Sequence, residues 1–177
     1  MEFKKITEDM VYDLEMQKVI GELPTSIQEY IENEVRDFKF QLLCNVAECE
    51  SPIEMMMSMA LDKCWLRGNE FNIEIMEILK QENIKCGDNI YRADFVIVAH
   101  NTNTHDLVNF VVECDGHDFH QKTKKQVERD NMRNRNMALN GYPIIRFSGS
   151  EIYDHSYLCA RETFKYIDMY MSKRGVV

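Results

Sequence analysis

Side chains that can bind metal ions or transfer protons follow one apolar segment of the sequence. Residues 110–112, F-V-V, are typical of an interior strand, and the next eight residues are E-C-D-G-H-D-F-H. Among them, Glu113 and Asp115 offer carboxylates, while His117 and His120 offer imidazoles that titrate near neutral pH. Three kinds of structure would explain this segment: a metal-dependent catalytic site, a structural zinc site or a polar turn.

Asp94 is a second carboxylate in an apolar setting, because it precedes the run F-V-I-V at 95–98. A buried carboxylate needs a cation, an arginine or a water-filled cleft beside it. Side chains alternate across a strand, so Glu113 and Asp115 share one face while Cys114 points to the other. Carboxylates on two neighbouring strands suit Mg²⁺, which prefers oxygen ligands and keeps several waters. The backbone carbonyl of Cys114 would add a further oxygen ligand.

Structural interpretations of the same residues stay open. Asp94 can form an ion pair with Arg92 or Arg146 and have no role in catalysis. Asp115, directly before Gly116, is also typical of a turn in which the aspartate caps its own loop.

A zinc site would use Cys114, His117 and His120, with Cys86 as a fourth ligand. The spacing Cys-x-x-His-x-x-His brings these ligands close together, but it is not a standard zinc-finger pattern. Strand alternation also directs the Cys114 side chain away from the acidic face. The sequence therefore favours oxygen ligands over sulfur and nitrogen.

The elements that must position these residues are predicted from periodicity and from turn and capping residues. Ser51, Pro52 and Glu54 form a helix start with a capping box, which accounts for Glu54 without catalysis. The predicted order is an amphipathic helix at 27–46, a helix at 51–66, an edge strand at 71–86, a central strand at 89–99, its antiparallel partner at 107–114, a polar helix at 123–140, a strand at 143–147 and a helix at 151–171. The strand–helix–strand order near the end implies a parallel crossover. We therefore predict an α/β fold with a four-stranded mixed sheet flanked by helices.

The composition bounds the class of protein. With 177 residues, 45% of them apolar, we expect one globular unit, in which a helical segment at 1–50 packs on a core domain at 51–177. The sequence contains neither the apolar core of a signal peptide nor an apolar run long enough for a membrane span. We expect a cytoplasmic protein with no membrane partner and with its six cysteines reduced. The oligomeric state stays open, with a homodimer as one outcome.

The charge is unevenly distributed. The formal net charge is −9, which argues against indiscriminate coating of nucleic acid. Residues 116–148 nevertheless carry seven basic and three acidic side chains, a net charge of +4, and the rest of the chain carries −13. Such a basic segment can bind phosphate locally, although a solvated helix face has the same composition.

Five segments in order resemble the PD-(D/E)XK restriction-endonuclease-like superfamily: "SPIE", "YRADF", "VVECDGHDFH", "ERDNMRNRNMALNGY" and "PIIRFSGSEI". Within it, the chain is most similar to a branch of uncharacterised bacterial domains allied to very short patch repair endonucleases. The resemblance covers about residues 51–152 and implies a restriction-endonuclease-like core. It also implies hydrolysis of phosphodiester bonds, with DNA favoured over RNA as substrate and Mg²⁺ as cofactor, for which Mn²⁺ can substitute.

The resemblance also assigns roles to residues. It makes Glu54 the helix carboxylate of the site, and Asp94 and Glu113 the metal ligands. Asp115 stands where many members have a lysine, and the form E-x-D-G implies help from His117, His120 or Lys122. Asp130, Arg133, Gly141 and Arg146 match the same branch. Lys122, Lys124, Lys125, Arg129 and Arg133 are the expected phosphate contacts. The alternative is a nuclease-like domain that binds nucleic acid or a protein without cleaving.

Overall fold

The structure of the chain, a computed structural model, describes residues 14–67, 71, 73–102, 104–116 and 123–174. The chain divides into two compact units, Met1–Cys44 and Asn45–Val177. The predicted packing of residues 1–50 on the core stays a prediction, and each unit is described by itself.

The first unit contains helix α1 (Leu14–Gly21) and most of helix α2 (Thr25–Val46). The predicted helix at 27–46 is confirmed, and α2 begins directly after Pro24. The Gln28 side chain donates hydrogen bonds to the carbonyl oxygens of Leu23, at 2.7 Å, and Gly21, at 3.2 Å. These bonds satisfy carbonyls in the turn between the helices. All of α2 is described, and none of its residues is buried.

The second unit is built on a four-stranded sheet in the order β1 (Glu74–Cys86), β2 (Asn89–His100), β3 (Leu107–Asp115) and β4 (Ile144–Ser148). The pairs β1–β2 and β2–β3 are antiparallel, whereas β3–β4 is parallel. The predicted α/β fold with a mixed sheet is therefore confirmed, including β1 as an edge strand. Gly87, with φ of +61°, allows the tight turn between β1 and β2.

Three helices cover the two faces of the sheet: α3 (Pro52–Leu66), α4 (Lys124–Leu139) and α5 (Gly149–Arg174). Side chains of α3 and α5 form the larger core with one sheet face, which includes Phe95 and Val112. On the other face, Met137 of α4 packs in a smaller core with Val96 and Val111. The alternation of buried residues along β2 and β3 thus supplies both cores.

Local capping fixes where the helices begin. Ser51 caps α3 as predicted, accepting from the backbone N–H of Glu54 at 3.2 Å. At α5 the predicted start, residue 151, is two residues late. Ser148 and Glu151 form a capping box of their own, in which the Ser148 N–H donates to the Glu151 carboxylate at 2.8 Å. The sequence S-x-x-E at 148–151 is the capping signal of this helix, and α5 begins at Gly149.

None of the helices in the described part of the chain combines the length and the apolar character that crossing a membrane requires.

Candidate active site

The middle two strands separate at one end of the sheet. Strands β2 and β3 pair from His100–Leu107 to Phe95–Val112. Beyond that last pair, residues 89–93 of β2 continue to pair with β1, and residues 113–115 of β3 pair with β4. We call this divergence the fork, formed by Asp94 on one branch and 113–115 on the other. Its first residues are the predicted metal ligands Asp94 and Glu113.

Asp94 is half-buried and is held across the fork by the opposite branch. Its Oδ2 accepts a hydrogen bond from the backbone N–H of Cys114 at 2.7 Å. Burial raises the pKa of the Asp94 carboxyl, and the carboxylates of Glu54 and Asp115 raise it further, against the lowering effect of the Cys114 N–H. Three acidic side chains are thus near enough to interact electrostatically.

Glu113 is the more buried acid, with only 4% of its surface exposed. Its Oε1 lies 2.6 Å from the Arg133 guanidinium, and its Oε2 lies 3.9 Å from Arg146. Burial nevertheless raises the pKa of Glu113 to about 7, and Asp94 adds to that rise, while the two arginines oppose it. Keeping Glu113 ionised at this position is therefore costly even with arginine partners.

Asp115 lies on the same face as Glu113, as alternation predicts. The Arg146 guanidinium reaches it at 3.2 Å, and another nitrogen of Arg146 donates to the Asn134 side chain at 2.8 Å. The structure places Gly149 against this turn, where an added Cβ would lie 3.3 Å from the Asp115 carbonyl oxygen. A side chain at position 149 would crowd the acidic strand end, a constraint that the sequence did not reveal.

Arg133 joins the two branches of the fork. Its Nη2 donates to the backbone carbonyl of Arg92 on β2 and to the Glu113 carboxylate on β3. Arg133 comes from α4, which is therefore tied to the open end of the sheet. The predicted contact of Arg133 with substrate phosphate stays a prediction, and in this structure its guanidinium binds an acid of the site.

Glu54 caps α3 and lies beside the fork. One carboxylate oxygen accepts from the Ser51 hydroxyl at 2.7 Å, and the other accepts from the Glu50 backbone N–H at 2.8 Å. The N-cap role of Ser51 is confirmed, but Glu54 accepts from the Glu50 N–H and not from the Ser51 N–H of a full capping box. Glu54 also raises the pKa of Asp94, so the two carboxylates interact electrostatically. The catalytic role of Glu54 stays a prediction that this geometry permits.

Gln81 on β1 is a member of this region that the sequence analysis missed. It lies between the paired residues Lys80–Phe95 and Glu82–Ala93, and so opposite Asp94. Its Nε2 donates to Glu54 at 2.6 Å, and its φ is +53°. In the sequence it looks like an ordinary polar residue of an edge strand, and no local signal distinguishes it.

The oxygen donors at the fork are of the kind that hard divalent cations prefer. Asp94 and Glu113 supply carboxylate oxygens across the fork, and the Cys114 carbonyl lies between the acids of β3. Within the described residues, no three His, Cys, Asp or Glu side chains form a group that could hold a metal ion. A Mg²⁺ site with two carboxylates, a carbonyl and several waters needs no such group. Arg133 holds one oxygen of Glu113 and would compete for it.

Other predicted residues are distributed around α4. Lys124, Lys125 and Arg129 are exposed on the first half of α4. Lys125, Arg129 and Arg133 follow one another at intervals of four residues and therefore share a face of the helix. His117, His120 and Lys122 lie outside the described residues, so their predicted roles stay predictions.

An ion pair of Asp94 with Arg92 or Arg146 was the structural alternative to a metal site. Arg92 pairs with Glu50 at 2.5 Å and Arg146 pairs with Asp115, so in the described part of the chain neither arginine forms an ion pair with Asp94.

The positions of the two thiols argue against a zinc site that uses both Cys86 and Cys114. Cys86 is buried in the smaller core, and Cys114 packs against the larger one. The two sulfur atoms therefore do not share a site.

Comparisons of the chain with protein-family models, curated proteins and solved structures found no match.

Proposed function

We propose that the chain is a divalent-metal-dependent nuclease that hydrolyses phosphodiester bonds, with DNA favoured over RNA as its substrate. One observation carries the proposal: two strands that pair through apolar residues diverge at Asp94 and Glu113, and opposed carboxylates lie at the divergence. Burying opposed carboxylates lowers the stability of the fold, and buried charges of this kind are concentrated at functional sites. The sequence resemblance to restriction-endonuclease-like domains supports the same activity.

Each residue of the fork has a proposed part. Asp94, Glu113 and the Cys114 carbonyl would hold Mg²⁺, or Mn²⁺ in its place. The bound ion would make a water molecule nucleophilic near neutral pH and stabilise the leaving oxygen. Arg133 fixes the Glu113 carboxylate, and Arg146 fixes Asp115. These ion pairs limit the rotamers of the acids before substrate binds.

Residues around the fork would handle protons and phosphates. We propose His117 or His120 for proton transfer, since histidine changes its protonation state near neutral pH. Lys122, Lys124, Lys125 and Arg129 would neutralise phosphates on either side of the scissile bond. We place the reaction in the cytoplasm, with nucleic acid as the partner.

Cleavage assays test the activity. Plasmid, single-stranded DNA and RNA would be incubated with the protein and Mg²⁺ or Mn²⁺, with and without a chelator. We expect metal-dependent cleavage of DNA that is abolished in Asp94→Asn and Glu113→Gln. Glu77→Gln is the matched control, because Glu77 is an exposed carboxylate on β1. Cleavage that survives both site substitutions would show that the fork is not the active site.

A second candidate function has its own observation. Arg133 and Arg146 form ion pairs with Glu113 and Asp115, which offsets part of the cost of these carboxylates without a metal ion. On that basis the domain would bind nucleic acid or a protein without cleaving it. Binding of DNA with no cleavage in any metal, unchanged in Asp94→Asn, would favour this candidate over the nuclease.

A further inference from the structure

A cavity lies beside β4, the last strand of the described sheet. Its volume is about 550 Å³, within the range of roughly 300–1,000 Å³ that is typical of small-molecule sites. We call it the edge cavity and define it by five of its lining residues: Asn134, Tyr142, Arg146, Tyr166 and Tyr170. Three of the five are tyrosines, so the lining is rich in aromatic surface.

The end of α4 places the first tyrosine. Gly141 has a φ of +84°, and its N–H donates to the Ala138 carbonyl at 3.1 Å. The Tyr142 N–H donates to the Met137 carbonyl at 3.0 Å. These two bonds form a Schellman motif, which ends the helix and favours glycine at the position with positive φ. Tyr142 is therefore held between the end of α4 and the start of β4 at Ile144.

Helix α5 supplies the other two tyrosines, which are four residues apart and share a face. Both rings meet Phe110 nearly edge-on, at a centroid distance of 6.1 Å for Tyr166 and 5.2 Å for Tyr170. Phe110 is 1% exposed, so the core holds the two rings in place. Tyr166 keeps 36% of its surface exposed. The wall thus combines aromatic rings of fixed position with access for a ligand.

Asn134 gives the edge cavity hydrogen-bond donors of fixed orientation. The Arg146 Nη2 donates to the Asn134 Oδ1 at 2.8 Å. Arginine has no acceptor, so the amide oxygen must face Arg146, and the amide nitrogen is left for other partners. Among the described residues, that nitrogen donates to no acceptor. A ligand with an acceptor atom can therefore take its N–H groups.

Arg146 connects the edge cavity to the fork. Its side chain lines the cavity, while its Nη1 lies 3.2 Å from Asp115 and its Nη2 lies 3.9 Å from Glu113. A group bound in the cavity is thus about one arginine side chain away from the acids of the fork. One substrate can reach both places.

We propose that the edge cavity binds a nucleobase that has left the stack of the substrate strand, next to the scissile phosphate. The inference rests on the proposed nuclease function and names its substrate class, DNA with an unpaired base. Every nucleobase has a flat face that stacks on tyrosine and acceptor atoms at its edges for the Asn134 amide. A base that is already unpaired enters such a site at the lowest cost, because no pairing is lost.

Binding of bulged duplexes tests the proposal. Two DNA duplexes of one sequence, with a bulged base or with a bulged abasic residue, would be compared by fluorescence anisotropy in buffer with a chelator, which prevents metal-dependent cleavage. We expect the base bulge to bind about 10-fold more tightly, because only it can stack on the tyrosines. Equal affinities would overturn the proposal, since both bulges share the same flexible backbone.

Removing the aromatic wall should abolish this base preference. In the double variant Tyr166→Leu/Tyr170→Leu, apolar side chains still pack against Phe110 but the rings are lost, so the two bulges should bind alike. Tyr153→Leu is the matched control, because Tyr153 is an exposed ring of α5 outside the lining of the cavity, and it should keep the preference. A preference that survives in the double variant would overturn the proposal.

A further variant keeps the proposal falsifiable if the double variant does not fold. Asn134→Asp retains an oxygen for Arg146 and replaces the N–H donors with an acceptor, so the base preference should fall by about 5-fold. Asn131→Asp, at an exposed position of α4, adds the same charge outside the cavity. It should weaken binding of both bulges equally and leave their ratio unchanged. Equal ratios in the two variants would overturn the proposal.

Cleavage assays distinguish this failure from that of the proposed function. If the protein cleaves DNA at the fork while both bulges bind alike, only the edge cavity is wrong. If the base preference depends on the tyrosines but no metal supports cleavage, the edge cavity binds a base and the nuclease proposal is wrong.

Discussion

The two ends of the β2–β3 pair differ in what their side chains contribute. At the paired end, Phe95, Ile97 and Phe110 are buried within the larger core. At the other end, one residue beyond Phe95, the strands separate and present Asp94 and Glu113. Apolar burial stabilises the first end, whereas burying carboxylates at the second is unfavourable. The apolar residues from Phe95 onwards therefore contribute stability. Asp94 and Glu113, one residue beyond the last β2–β3 pair, are the residues proposed to carry out the chemistry.

The largest expected effect comes from a substitution that abolishes cleavage at the fork and leaves the fold intact. Asp94→Asn keeps the shape of the side chain and an oxygen that accepts the Cys114 N–H, but it removes the charge. Loss of a metal ligand should lower cleavage by about a thousandfold, since stabilisation of the transition state by a metal contributes several kcal/mol. The melting temperature should change little. A variant that unfolds would contradict the separation of the two ends.

The converse substitution is Phe95→Ala, one residue away and fully buried. Removing a buried phenyl ring leaves a cavity, so the free energy of unfolding should fall by about 3–5 kcal/mol in denaturant titrations. Tyr153→Ala is the control, because that ring is 69% exposed and its loss should cost less than about 0.5 kcal/mol. Similar losses in both variants would mean that the paired end is not the source of stability.

Measuring stability as a function of pH gives the free-energy cost of ionising Glu113 at the fork. The folded-state pKa of Glu113 is raised from 4.5 to about 7, so the folded state binds a proton more tightly than the unfolded state. The associated stability is present below pH 4.5 and is lost as pH rises through about 7, by about 3 kcal/mol. In metal-free buffer, unfolding curves of Glu113→Gln should lack this loss. Parallel pH profiles for the two proteins would contradict the raised pKa.

Local signals in the sequence predicted most of the fold. The bounds of α3 match the prediction because Ser51 and Pro52 mark its start within a few residues. The strands follow from alternating apolar residues, and the mixed sheet follows from one helical crossover. Where α5 begins could also have been predicted, from the S-x-x-E pattern at Ser148.

The site was only partly predictable, because its contacts join distant parts of the chain. Asp94 and Glu113 are conspicuous as charges in apolar strands, so the sequence alone identifies them as candidate site residues. The bond from Arg133 to Glu113 spans 20 positions, and that from Gln81 to Glu54 spans 27. Such partners depend on how β1, α3 and α4 meet in space, which residue types and spacing do not specify.

The smallest expected effect is on DNA binding by the basic face of α4. It concerns the surroundings of the fork and not the fork itself. Lys125 and Arg129 are exposed, on the same face as Arg133. Each substitution to alanine should weaken DNA binding a few-fold and reduce the salt dependence of log K by about 1, because one phosphate contact is lost. Fluorescence anisotropy at several salt concentrations measures both quantities. Lys165→Ala, which removes an exposed lysine of α5, is the matched control and should leave the salt slope unchanged. Equal slopes in all three variants would show that α4 is a solvated face and that the fork meets its substrate without it.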